Sequence, residues 1–145
     1  MLSKYLQDNI NFMDGIFSWE ESIELGARPL LEKGYITPKY IKDIITNINK
    51  NGSYIVIVPG IAMPHARNEG GVIKTGISFL KLKNHTVFPD DKKVNILLTL
   101  AAKDNSEHLE LLSNLSSILI DEEIRERFKD ADTKEEVISL IKMVE

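Results

Sequence analysis

The sequence predicts an α/β fold: one domain over residues 1–145, a mixed β-sheet flanked by helices on both faces. Two kinds of segment predict it. The runs Tyr54-Ile-Val-Ile-Val58 and Val94-Asn-Ile-Leu-Leu-Thr-Leu-Ala101 are apolar and rich in strand formers. Around them, apolar residues recur at helical spacing behind capping signals. Strands interleaved with amphipathic helices make a sheet layer covered by helices.

In chain order, Met1 to Leu6 opens with a short helix. Asn9 to Phe17 reads as a short strand with a turn at Asp14-Gly15. Ser18-Trp-Glu-Glu21 is a capping box, and Trp19, Ile23, Ala27 and Leu30 follow on one helical stripe. That stripe assigns Trp19 to the core, and Pro29 should kink or interrupt the helix. Thr37-Pro38 starts a second helix, with Tyr40, Ile41, Ile44, Ile45 and Ile48 on its apolar face and Asn51-Gly52 as its stop.

Tyr54 to Val58 then reads as a buried strand ended by Pro59-Gly60, and Asn68-Glu-Gly-Gly71 as a return turn. A strand is expected from Ile73 to Leu82, a polar tip holding His85 from Lys83 to Lys93, and a central strand from Val94 to Ala101. Cap signals at Asp104, Asp121 and Thr133 start three more helices. The order is therefore strand, two helices, three strands, three helices.

Composition narrows the function. The chain is 43% hydrophobic and 28% charged, an ordinary globular balance, with formal net charge −4. No basic patch stands out, which argues against nucleic-acid binding. There is no cysteine, so thiol nucleophiles and thiolate metal sites are excluded. No long apolar run supports a signal peptide or membrane span, and the expected location is the cytoplasm. The sequence lacks dinucleotide and P-loop glycine motifs, a G-x-S-x-G elbow and an H-x-x-x-H pair, so no cofactor or metal is expected.

The stretch with chemistry in it is Ile57 to Gly71, centred on Met63-Pro-His-Ala-Arg67. A histidine that accepts a phosphoryl group must present a neutral imidazole with one free lone pair. With an ordinary pKa of about 6.5, much of the His65 population is neutral near pH 7, and burial beside Ile61, Ala62 and Met63 favours that form further. A backbone carbonyl can fix the tautomer. Pro64 stiffens the approach by locking its own φ and restricting Met63.

The phosphorylated ring then needs donors. Arg67 is one candidate, and the N–H groups of the helix starting near Asp104 to Ser106 are another. His108 lies in or next to that first turn and can face the same anion. Bland alternatives stand beside each role. His65 is a structural loop histidine, His108 a rim residue satisfied by Asp104, Arg67 a surface partner of Glu69, and His85 simply solvated.

Gly60-Ile-Ala-Met-Pro-His-Ala-Arg67 resembles the active-site signature of the mannitol/fructose-type enzyme IIA components of the bacterial sugar phosphotransferase system. The strand from Gly71, the Val94–Ala101 strand and Asn105-Ser-Glu-His-Leu-Glu-Leu-Leu112 support the resemblance, which spans almost the whole chain. It implies that His65 takes a phosphoryl group on Nε2 from phospho-HPr. It further implies transfer to a cysteine of enzyme IIB, which feeds membrane enzyme IIC, with His108 as auxiliary histidine. Pro59 and Arg67 look most like the ascorbate-type branch, since mannitol-type members carry an acidic residue at the first position and usually lack the arginine. A regulatory, phosphorylation-switched module of the nitrogen type is the alternative. Ile61 and Met63 are the expected partner-docking residues.

Overall fold

The computed structural model describes residues 2–145. Its elements are α1 (Leu2–Leu6), β1 (Ile10–Met13), α2 (Trp19–Glu32), α3 (Pro38–Asn51), β2 (Val56–Val58) and β3 (Gly60–Ala62). There follow β4 (Gly76–Phe88), a 3-10 turn (Pro89–Asp91), β5 (Lys92–Ala101), α4 (Asn105–Leu119), α5 (Glu122–Asp130) and α6 (Lys134–Val144). Of the helix expected from Met1, the first residue lies outside the described residues.

One five-stranded sheet has the order β1-β4-β5-β3-β2. It is mixed: β1 lies parallel to β4 and β3 parallel to β5, while β4/β5 and β2/β3 are antiparallel. As expected, β5 is central and buried on both faces. Its alternation builds two cores. Ile96, Leu98 and Leu100 face α1, α4, α5 and α6, while Leu97 and Ala101 face α2 and α3. The α4, α5 and α6 caps form as read, with Asp104, Asp121 and Thr133 each accepting from a first-turn backbone N–H. The Ser18–Glu21 capping box is complete.

Several expectations need correction. Helix α2 runs unbroken through Pro29. Thr37 makes no side-chain cap; instead its N–H donates to Gly71 O at 3.0 Å, tying the helix start to the return turn. Tyr54–Val58 is not a buried strand: only Val56–Val58 is extended, at the sheet edge, and Ile57 is exposed. A strand missing from the sequence reading, β3, sits between it and β5. The strand expected to end at Leu82 continues to Phe88, because Thr86 and Phe88 turn inward. Phe88 packs on Trp19 with ring centroids 5.7 Å apart, and the Thr86 hydroxyl donates to Phe17 O at 2.9 Å. Polar neighbours hide that alternation in the sequence.

The fold anchors the segment after β3 through Tyr40. Its hydroxyl is buried, donates to Leu100 O at 2.5 Å and accepts from Ala66 N–H at 3.1 Å. Gly71 permits this closeness, since a Cβ there would lie 2.9 Å from Tyr40 Cβ and 3.0 Å from its backbone. Removing the hydroxyl strands a buried donor and a buried acceptor. Tyr40→Phe should therefore lower unfolding free energy by about 1–3 kcal/mol, measured by urea denaturation.

Candidate functional site

His65 follows β3 and His108 stands in the first turns of α4, which follows β5. Because β3 and β5 are parallel, both connections leave the sheet at the same end. The sequence expectation that these residues meet is fulfilled geometrically: the two imidazole centroids are 5.4 Å apart, with the rings inclined at 62°.

Backbone bonds to several elements fix the histidine segment. Met63 N–H donates to Ile55 O at 2.8 Å, and Leu100 N–H donates to Pro64 O at 2.9 Å. The Tyr54 hydroxyl donates to His65 O at 2.8 Å. Farther on, the Asn68 side-chain oxygen accepts from Gly70 and Val72 N–H, and its amide donates to Lys103 O at 2.8 Å. Asn68 thereby ties the return turn to the connection that leads into α4.

Within this frame His65 Nδ1 lies 2.6 Å from Met63 O. A carbonyl only accepts, so Nδ1 carries the proton and Nε2 keeps a free lone pair. Burial lowers the His65 pKa, with the Met63 carbonyl pulling upward and His108 adding to the depression. Burial also lowers the His108 pKa, followed by the effect of the Arg67 guanidinium. The site thus holds two imidazoles biased towards neutrality, one with a defined tautomer.

These groups open into a cleft of about 550 Å³ lined by Asp43, Thr46, Asn47, Asn51, Tyr54, His65, Ala66, Arg67, Glu69 and His108. His65 and His108 are half-buried, and Arg67 is exposed. Arg67 forms no ion pair with Glu69 or any other carboxylate among the described residues. Asp104 does not serve His108; its carboxylate caps α4 by accepting from Glu107 N–H at 2.8 Å. That same bond occupies one of the helix donors expected for a phosphate. His85 is exposed at the other end of the sheet.

The docking expectation for Ile61 and Met63 fails. They are 0% and 1% exposed, packed under α4 and its neighbours, and offer no surface to a partner. Strand alternation turns Ile61 inward, and Met63 continues the same face. Tyr54, on the cleft wall, is an exposed aromatic side chain at the site.

Sequence reasoning missed Tyr40 and Tyr54 as site residues. Tyr40 was readable only as part of an apolar stripe, although a buried phenol implies a polar partner. Tyr54 reads as the first residue of an apolar strand, but that strand begins two residues later.

Comparison with known proteins identifies the family. Residues 5–144 match the family described as "Phosphoenolpyruvate-dependent sugar phosphotransferase system, EIIA 2". The mannitol-specific cryptic phosphotransferase enzyme IIA component of Escherichia coli is 35% identical over 97% of both chains. The ascorbate-specific EIIA component of Escherichia coli is 37% identical over 86% of this chain and 82% of its own. The solved complex of Escherichia coli mannitol enzyme IIA with phosphorylated mannitol enzyme IIB has a TM-score of 0.79 and 25% identity. It covers 92% of this chain and 94% of that one. A family match that runs almost from end to end of the chain places this protein in the EIIA 2 family of the sugar phosphotransferase system, whose members are phosphoryl carriers working through a phosphohistidine.

Proposed function

We propose that His65 is the phosphoryl acceptor, charged by phospho-HPr and discharged to a cysteine of an enzyme IIB partner in sugar uptake, with ascorbate-type the favoured branch. The observation that carries this reading is the Nδ1–Met63 O hydrogen bond, which leaves Nε2 as the free nitrogen of a ring that lines the cleft. The balance of the step is simple. The Nε2 lone pair forms the N–P bond as the donor imidazole's N–P bond breaks; the IIB thiolate then attacks phosphorus, forming an S–P bond as the His65 Nε2–P bond breaks and its electron pair returns to Nε2. Positioning and electrostatics are what the protein contributes to such a transfer.

The phosphoryl group reverses the electrostatics of the pair. A compact anion on Nε2 favours the charged form of a neighbouring imidazole. His108, held neutral in the free protein, then becomes a cationic donor to the group, and Arg67 adds a second positive charge from the rim. The branch assignment rests on Pro59 and Arg67 within Pro59-Gly-Ile-Ala-Met-Pro-His-Ala-Arg67. Faster transfer to an ascorbate-type IIB than to a mannitol-type IIB is the outcome that supports it.

Incubation with phosphoenolpyruvate, its HPr-phosphorylating enzyme and HPr should add one acid-labile phosphate, which His65→Ala should not acquire. Intact-mass spectrometry reads both; equal labelling of the variant would overturn the assignment. His108→Ala should still accept phosphate but transfer it roughly ten-fold or more slowly, checked by rapid-quench assay with IIB. The depressed His65 pKa sets a pH dependence. The neutral ring is the major form at the ordinary value of about 6.5, because the His65 midpoint lies below it. Initial phosphorylation rates should therefore fall as pH is lowered, with a midpoint below the ordinary histidine value of about 6.5.

A further inference from the structure

We infer that Tyr54 is a positioning residue for phosphoryl transfer: its phenol holds the His65 ring and peptide so that Nε2 stays aimed into the cleft. This inference rests on the reading of His65 as the acceptor. Two contacts on different parts of His65 carry it. The Tyr54 hydroxyl donates to the His65 carbonyl at 2.8 Å, and the Tyr54 ring meets the imidazole at 88° with centroids 5.5 Å apart. The first contact restrains rotation of the peptide that bears the ring. The second presents an aromatic wall to a side chain that the Met63 carbonyl holds only through Nδ1.

The two tyrosines divide the work between adjacent residues. Tyr40 holds Ala66 from within the core, where its hydroxyl also anchors Leu100. Tyr54 holds His65 from the cleft side and remains 41% exposed. A residue whose only task was core stability would not sit on the wall of the cleft beside the reacting ring. Its placement comes from the chain: Ile55 O accepts from Met63 N–H, so the preceding residue falls alongside the histidine segment. The phenol stays a donor, since burial raises its pKa while the Asn47 amide pulls the other way.

Two variants separate the contacts. Tyr54→Phe keeps the ring and removes the hydroxyl; Tyr54→Ala removes both. With phospho-HPr as donor, kcat for His65 phosphorylation should fall several-fold in Tyr54→Phe and about 100-fold in Tyr54→Ala, with KM little changed. The ¹⁵N signals of the His65 ring should report a single Nδ1–H tautomer in the wild type and averaging in Tyr54→Ala. Unchanged kcat in both variants overturns the inference. So does a change confined to KM, which would make Tyr54 a docking contact, or a kcat loss with unaltered ring signals. If the wild type accepts no phosphate, the carrier reading fails, yet the ring spectra of wild type and variants still decide whether Tyr54 positions His65.

Discussion

The structure depends on how completely the four residues Met63 to Ala66 are tied down. Met63 gives its N–H to Ile55 and its carbonyl to the histidine ring. Pro64 receives Leu100 N–H, His65 receives the Tyr54 hydroxyl, and Ala66 gives its N–H to Tyr40. The segment departs from regular pairing after β3, so each of these groups would otherwise face a poor environment without a partner. Satisfying them from β5, α3 and the approach to β2 converts an irregular loop into a rigid mount. Proline adds to that rigidity by removing one N–H and locking one dihedral.

The sheet supplies the frame for this mount. Two helical layers cover β5, whose end delivers α4 to the same side as the end of β3. Parallel neighbours therefore bring together two histidines 43 positions apart in sequence. The Asn68 side chain joins their two loops directly, through Lys103 O.

Much of this was legible in the sequence because its signals were local and strong. The side-chain caps at Ser18, Asp104, Asp121 and Thr133 each needed only a short window, and β5 declared its central place by being apolar on both faces. His65 and His108 were legible through their motif and their place at element boundaries. What stayed hidden depended on distant partners. Gly60 to Ala62 is too short to show a period, and the far half of β4 buries Thr86 and Phe88 among polar neighbours. The docking roles given to Ile61 and Met63 failed because nearness in sequence to His65 says nothing about which way a side chain points. Tyr40 and Tyr54 were visible as aromatics, but a phenol's partner across the fold is not written beside it.

The open cleft has a consequence for the lifetime of the loaded state. Among the described residues no element closes over His65, and the cavity beside it is broad compared with a phosphoryl group. On the reading of His65 as the phosphoryl acceptor, bulk water can therefore reach its N–P bond between arrival and departure of the protein partners. Hydrolytic leakage competes with delivery, and the yield of the relay depends on how promptly an acceptor arrives.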